Sequence, residues 1–491
     1  MDLRLCMPMC KRVINSDISE DIMLPDYYPE IRRVLCVREN LLPPSKFVSG
    51  NKIDIGGSVD YTLIYVSSEG RLCSAPLSAE YSFSVPLDNV SEFELSEGVN
   101  ILARSVAENS TVRVSGPRRL QIRSHIRSSV NAWGKQTSCE SFEGVEDPSS
   151  IQRLEAEANC AEMLCESSDI VTVRDEFKLP FENATVSVAD GCAVVQGSRI
   201  DGEMVYATGE VVVRMLILGD DGRSERVVRK IPFEVESDLD GVDMDSDSLL
   251  RINGAVTDLA VNVEEGNVFT EASLVLELCM AQNKNISYVC DAYSTEQPSA
   301  TDMRVYSLPV VVANKNAGLS FSERIEQSEV GFPEGAEIVD IYGSANIGEA
   351  MLEDGKYILK GSCKYNLICL KDGEYSHCEI RVPLRYECEG EEEIDGFDAC
   401  ADVISCKARA DGEFLSIDAE LALSYNIMGS REVQMLERVT FYDKAERSLG
   451  QWTVCFVQPG DTAWSIAKKY GVRECDVSGD PLCDRYVVIE R

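Results

Sequence analysis

Three segments of this chain repeat one pattern, and that pattern leaves little choice of fold. They are Gly57–Val66, Gly209–Leu218 and Gly361–Leu370. Counting from each glycine, the second, fourth, sixth and eighth residues that follow are apolar in every copy. They are Val59, Tyr61, Leu63 and Tyr65, then Val211, Val213, Met215 and Ile217, then Cys363, Tyr365, Leu367 and Cys369. A period of two places these residues on one side of a β-strand, so each copy predicts a strand with one face on a core. An acidic turn bearing glycine follows each strand, at Ser67–Gly70, Gly219–Gly222 and Lys371–Glu374, and sends the chain back as a neighbouring strand. Ile64, Leu216 and Ile368 make the far ends apolar on both faces, which predicts a place in the sheet interior.

The repeat reaches beyond these strands. Pro25, Pro180 and Pro333 stand roughly 30 residues upstream of the glycines. Downstream, a second alternating run recurs: Leu120, Ile122 and Ile126; Ala272, Leu274, Leu276 and Leu278; Ile417, Ala419, Leu421, Leu423 and Tyr425. A single hydrophobic core stops growing near about 250–300 residues, so a chain of this length must divide. The expected class is mainly β, with three repeated antiparallel, sandwich-like modules over residues 10–140, 169–295 and 305–445. Residues 141–168 read as a helical linker. Asp147–Ser150 supplies a capping signal, and Ile151, Leu154, Ala158, Ala161 and Cys165 recur at helical spacing.

Charge follows the same division. The chain carries 47 basic and 84 acidic residues, a net charge of −37. Residues 141–451 hold 61 of the acids and 26 of the bases, a net of −35, so the acidity belongs to the middle of the chain. A polyanion of this strength is repelled by phosphate backbones and anionic lipid, and no apolar stretch is long enough for a membrane span, so neither partner is expected. Acidic loops separate the halves of the modules, at Glu387–Asp395 and Glu234–Asp247. The second can be laid on a calcium loop through Glu236, Asp238, Asp240, Gly241 and Asp247. Its flanks read as strands, however, and it opens with Glu and closes with Asp, so a solvated loop is the better reading.

Catalytic chemistry has few candidates. Only two histidines occur, His125 and His377, and none of the nineteen cysteines forms a Cys-x-x-Cys pair. No metal site, cofactor or catalytic residue is therefore assigned, and the chain is expected to be no enzyme. The start lacks a basic region followed by an apolar run, which predicts a cytosolic protein whose cysteines are mostly buried thiols. A minority reading leaves a surface subset, with Cys6 and Cys10 near the N-terminus as its candidates, to cross-link in an assembled structure. The one basic feature is Arg119–Arg127, a strand with Arg119, Arg123, His125 and Arg127 on one face and Leu120, Ile122 and Ile126 on the other. It reads either as a solvated face offset by local acids or as a docking face for an acidic partner, with His125 a surface residue.

The last forty residues carry the most specific motif. Trp452–Val457 reads as a strand, Pro459 and Gly460 as a turn, and Asp461 or Thr462 as the cap of a helix ending at Gly471. Ala463, Ile466, Ala467 and Tyr470 form its apolar stripe, and a short helical turn near Glu474–Val477 leads to a final strand at Tyr486–Ile489. Val457–Thr462 and Trp464–Gly471 closely resemble the LysM domain, a βααβ module that binds N-acetylglucosamine glycans such as peptidoglycan. That resemblance implies a LysM domain over residues 452–491. Its groove would be lined by Gly460, Asp461, Thr462 and Ala463 facing Asp480, Pro481 and Leu482. The chain departs from the family in having Ala463 for Leu, Asp480 for Asn, and a shortened second loop, so one wall of the groove is expected to be reduced.

The rest of the chain is similar to the SPOCS-domain proteins of spore-forming bacteria, through Leu24–Ile31 and the three glycine-led strands. The SipL-type members of that family are non-enzymatic coat-morphogenesis adaptors. They work in the mother-cell cytosol at the forespore surface, joined to the ATPase scaffold of the basal coat layer. The resemblance implies the same role, location and class of protein partner here, with peptidoglycan as the alternative ligand.

Overall fold

The computed structural model describes residues 2–168, 170–202, 204–219, 223–238, 249–443 and 452–490. The turn residues Asp220, Asp221 and Gly222, and Asp240, Gly241 and Asp247 of the calcium-loop comparison, lie outside the described residues. The chain is mainly β, with three antiparallel modules and a small C-terminal domain. The first module comprises β1 (Asp2–Met23), β2 (Ile31–Leu41), β3 (Ser45–Ser49), β4 (Lys52–Ser67), β5 (Leu72–Pro86), β6 (Val99–Gly116) and β7 (Arg119–Cys139). Its first strand returns to pair with its last, giving one sheet β1–β7–β6, while β4 takes β2, β3 and β5 as neighbours in the other.

The same plan recurs twice. After β8 (Ser141–Glu143), the second module runs through β9 (Ile151–Ser167), β10 (Val171–Lys178), β11 (Ala184–Asp201), β12 (Met204–Gly219), β13 (Ser224–Asp238), β14 (Leu249–Glu264) and β15 (Asn267–Ser294). The third has β16 (Ser299–Glu326), β17 (Glu337–Glu353), β18 (Lys356–Lys371), β19 (Glu374–Glu389), β20 (Gly396–Asp411) and β21 (Phe414–Phe441). Each repeats a sheet in which the first strand pairs with the last, and a hairpin sheet, β11–β12–β13 or β17–β18–β19.

The glycine-led strands are the central strands β4, β12 and β18. Their period-two residues are all buried, none more than 1% exposed. The glycines themselves are required by close approach. At Gly209 and Gly361 a Cβ would collide with the carbonyls of Val194 and Asn346, which β-bulges in the partner strands push inward. Ile64, Leu216 and Ile368 are buried too, but what covers them is each other. With Cys36, Leu72, Val188 and Val339 they form one apolar cluster where the three modules meet. At about 25 cal/mol per Å² of apolar area, such a contact favours three modules packed together over three on a string.

Residues 141–168 are not a helical linker. Asp147 does cap a turn, accepting a hydrogen bond from the Ser149 amide at 2.9 Å, but the turn is a single 3₁₀ turn at Pro148–Ser150. Beyond it the chain is strand, with β9 paired along its whole length to β15. The residues at helical spacing also contain a period of two. Leu154, Ala156, Ala158 and Cys160 are the more buried, while Arg153, Glu155, Glu157 and Asn159 are exposed. Alanine and glutamate favour a helix in isolation, and the cross-strand partner supplied from β15 overrides that preference. β9 and β10 together take the place that β16 occupies in the third module, so the strands of module two begin at Ile151 rather than 169. Those of modules one and three begin at Asp2 and Ser299 and end at Cys139 and Phe441. Cys6 and Cys10, the candidates for a surface subset, are buried, and burial pushes both thiols up to about 11.

Buried ions tie the junction further. Arg38 of module one lies 3.0 Å from Asp190 of module two and also pairs with Asp340 of module three. Arg214 bonds the other oxygen of Asp190 at 2.5 Å, and the Arg38 and Arg214 guanidinium groups both lie over the Tyr342 ring. Asp398 of module three likewise receives Arg251 of module two and Arg104 of module one, the latter at 3.3 Å. A cavity of about 540 Å³ opens between the modules, lined in part by Arg104, Arg214, Asn253, Lys364 and Asp402.

Candidate functional site: the C-terminal domain and its platform

The C-terminal domain consists of β22 (Trp452–Phe456), α1 (Ala463–Tyr470), β23 (Val477–Ser478) and β24 (Tyr486–Glu490). Its helix is set at both ends by local chemistry. The Thr462 hydroxyl accepts from the Ser465 amide at 3.1 Å, and the Ser465 hydroxyl accepts from the Thr462 amide at 2.9 Å, a reciprocal capping box. Gly471 closes the helix in the left-handed conformation at φ 66°, and Lys468 and Lys469 face the negative end of the helix dipole. The second helix of a βααβ module is reduced here to one 3₁₀ turn, Glu474–Asp476. The chain between Gly471 and β23 is too short for more, and Asp476 turns back to accept from the Arg473 amide at 3.1 Å.

The predicted groove residues fall on two exposed loops. Gly460 is exposed, and its φ of 95° needs glycine. Asp461 is half-buried and accepts from the Gln458 amide at 2.8 Å, which closes the turn before the helix. Thr462 is exposed and spends its side chain on the cap, and Ala463 is half-buried at the first helical position. In the second loop, the Leu482 amide donates to Asp480 at 2.9 Å and holds that carboxyl below its ordinary range. The Asp480 amide donates to Asp484 at 2.8 Å. Pro481 is half-buried, and Leu482 is 86% exposed.

What fixes this domain is a contact that the sequence reading missed. Asp291 of β15 accepts from the Trp464 indole at 2.8 Å with one oxygen and from the Lys468 ammonium at 2.6 Å with the other. Two positions on, the Tyr293 hydroxyl donates to the Val472 carbonyl at 2.7 Å, and its ring meets Trp464 edge-on at 4.9 Å. Burial pushes the Tyr293 phenol up to about 12, with Glu474 and Asp476 adding to the rise. Trp464 and Lys468 are one helical turn apart on α1, so a single carboxylate grips one face of the helix. A β-bulge between Val289 and Asp291 re-aims the end of β15 to present both anchors. Leu154 of β9 packs against the same cluster. The available signal was Trp464 itself, a large aromatic lying off the Ala463, Ile466, Ala467 and Tyr470 stripe.

The second predicted face lies on β7. Arg119 and Arg123 are exposed and Arg127 is half-buried, with Leu120, Ile122 and Ile126 beneath them in the core. The structure does not present the three arginines as one open patch. Arg127 leans toward module three, 3.5 Å from the Gly348 carbonyl and 3.8 Å from Glu108. His125 sits between Asp17 at 2.7 Å and Glu108 at 3.7 Å, so local acids offset part of the face.

Among the described residues, no group of three histidine, cysteine, aspartate or glutamate side chains could hold a metal ion, and no helix is long and apolar enough to cross a membrane. Residues 457–477 match the LysM domain family, so a LysM domain stands near the C-terminus of the chain. Comparison with curated proteins and with solved structures returns no match.

Proposed function

We propose that this chain is a non-enzymatic adaptor, in which three β modules form one platform and hold the LysM domain in a set orientation for an outside ligand. The observation that carries this reading is the Asp291 grip. It engages α1 through Trp464 and Lys468, while the loops at Gly460–Ala463 and Asp480–Leu482 stay exposed. A tether would need no such anchor. The similarity of Leu24–Ile31 and the repeated strands to SPOCS-domain proteins supports spore coat assembly as the setting. The partner would then be a basal-layer coat scaffold protein and the location the mother-cell cytosol. Affinity capture of the full chain from sporulating cells should recover a coat scaffold protein. Capture without one, together with normal coats in a deletion strain, would overturn this role.

The LysM match favours a second reading, glycan binding by the same two loops. Thr462 is unsuited to testing it, because replacing the helix cap costs ~1 kcal/mol on its own. Ala463→Arg and Leu482→Arg load the two walls and spare the cap. Co-sedimentation with purified peptidoglycan, lost in both variants, supports glycan binding. A wild-type chain that stays in the supernatant, or variants that sediment unchanged, contradicts it.

A further inference from the structure

Cys165 of β9 and Cys279 of β15 stand directly opposite each other in the strand register, with their sulfurs 3.3 Å apart. Facing residues in an antiparallel pair have Cα atoms about 4.5–5.5 Å apart, inside the range that a disulfide spans without moving the backbone. Closing the bond needs only a small movement of two side chains. Other buried cysteines hydrogen-bond to backbone carbonyls instead. Cys10 faces the Val130 carbonyl, Cys160 the Ala161 carbonyl and Cys406 the Ile341 carbonyl.

The site is also chemically unlike its surroundings. Cys279 is 5% exposed, but Cys165 is only half-buried, at the edge of the apolar cluster that joins Cys6, Trp133, Met163, Val311 and Met428 across the three modules. The contact between the two thiols and the nearby Arg251 guanidinium hold the Cys279 thiol down against the cost of burial, while the same contact pushes the Cys165 thiol up. Most buried thiols in this chain are instead pushed up by desolvation.

We propose that Cys165 and Cys279 are a redox-sensitive pair that closes to a cross-strand disulfide when a small peroxide reaches the half-buried Cys165. In the first step Cys165, the thiol that peroxide can reach, gives up its proton to water and its sulfur attacks a peroxide oxygen; the O–O bond breaks, the departing hydroxide takes a proton, and the products are a sulfenic acid and water. In the second, the Cys279 sulfur attacks the sulfenic sulfur and displaces hydroxide, which leaves as water with the Cys279 proton. Overall two thiols lose two electrons and two protons, and one hydrogen peroxide becomes two waters. The consequence is positional. β9 and β15 are the two strands that carry Leu154, Asp291 and Tyr293, so the bond staples the ribbon on which the LysM domain sits.

The test uses the intact chain and hydrogen peroxide. After treatment, thiols are alkylated in denaturant and the digest is read by mass spectrometry. A Cys165–Cys279 linked peptide is expected, lighter by the two thiol hydrogens and lost on reduction with dithiothreitol. In Cys279→Ala, the link should vanish and Cys165 should be trapped as sulfenic acid by dimedone. Because the wild-type chain reports the link directly, misfolding of the variant leaves the test intact. The proposal is overturned if both thiols remain alkylatable after peroxide, while the exposed Cys475 and Cys483 are oxidised, or if either joins a different cysteine.

Discussion

The junction of the three modules and the seat of the LysM domain are both held by charged groups, yet they are built in opposite ways. At the junction, Arg38, Asp340, Arg251 and Asp398 are almost wholly withdrawn from water and Asp190 is half-buried, and each carboxylate serves arginines from more than one module. At the seat, one partly buried carboxylate at the edge of the platform, Asp291, holds one helix, and Tyr293 and Trp464 supply the apolar contact. A buried network cannot lose one member cheaply, because the remaining charge is stranded in a low-dielectric site. A rim anchor can, because water takes its place. The three modules should therefore unfold as one body, and the LysM domain should be able to leave its seat without unfolding anything.

The largest effect expected from this contrast is at Asp398. Asp398→Ala strands Arg251 and Arg104 together and should cost ~3–5 kcal/mol in the denaturant unfolding of the whole three-module body. Separate unfolding transitions for the modules, with only one of them shifted, would break the account of a single junction. Asp291→Ala should cost ~1–3 kcal/mol, confined to docking. Hydrogen exchange should rise at Trp464–Val472 and at the end of β15, with the urea midpoint of the main transition unchanged. Tyr293→Phe removes one hydrogen bond from the same seat and should cost ~1 kcal/mol by the same readout.

The pH dependence sharpens the comparison within one strand. In Asp398, burial raises the carboxyl pKa, but Arg104 and Arg251 outweigh it and leave the group lowered. Its contribution is present above the ordinary carboxylate value of about 3.9 and is lost as the pH falls toward its own lower folded value. Asp402, four residues on and open to the water of the central cavity, is raised by desolvation within that cavity, which the Cys400 hydrogen bond and Arg104 only partly offset. Its charge destabilises the fold above its folded value, and the penalty disappears as the pH falls to the ordinary range. Asp402→Asn should thus stabilise at neutral pH, with the gain fading on acidification, whereas Asp398→Asn should destabilise at neutral pH. Chemical denaturation at a series of pH values reads both, and the same sign for the two variants would refute the assignment.

The smallest effect on stability is expected at the surface. Reversing the exposed Arg119 and Arg123 to glutamate should change stability by only ~0.5 kcal/mol each, and reversing them together with Arg127 should weaken partner capture more than neutralising Glu391–Glu393. The opposite ranking would move the docking surface to the acidic middle of the chain.

Much of the fold was legible because a period of two survives any reading of propensity. Val211, Val213, Met215 and Ile217 can be on one face only in a strand, and the three copies vouch for each other. Residues 151–167 do not declare themselves, because Ala and Glu at those positions satisfy both periods, and only β15, more than a hundred residues away, decides between them. The loops of the LysM domain were legible through Pro459, Gly460 and Gly471, whose backbone demands are local. The seat was not. Asp291 and Tyr293 look like the frayed end of a strand until the bulge at Val289 turns them toward α1, and that geometry depends on tertiary partners.

The most direct test of the central claim is zero-length carbodiimide crosslinking of the full chain, read by mass spectrometry. The Lys468 ammonium lies 2.6 Å from Asp291, close enough for an amide to form in place. The account predicts that Lys468 joins Asp291 above all other carboxylates, and that this link disappears in Trp464→Ala while the modules stay folded. A Lys468 joined to scattered acids in the wild-type chain, or left unlinked, would mean that the LysM domain hangs free and is presented by nothing.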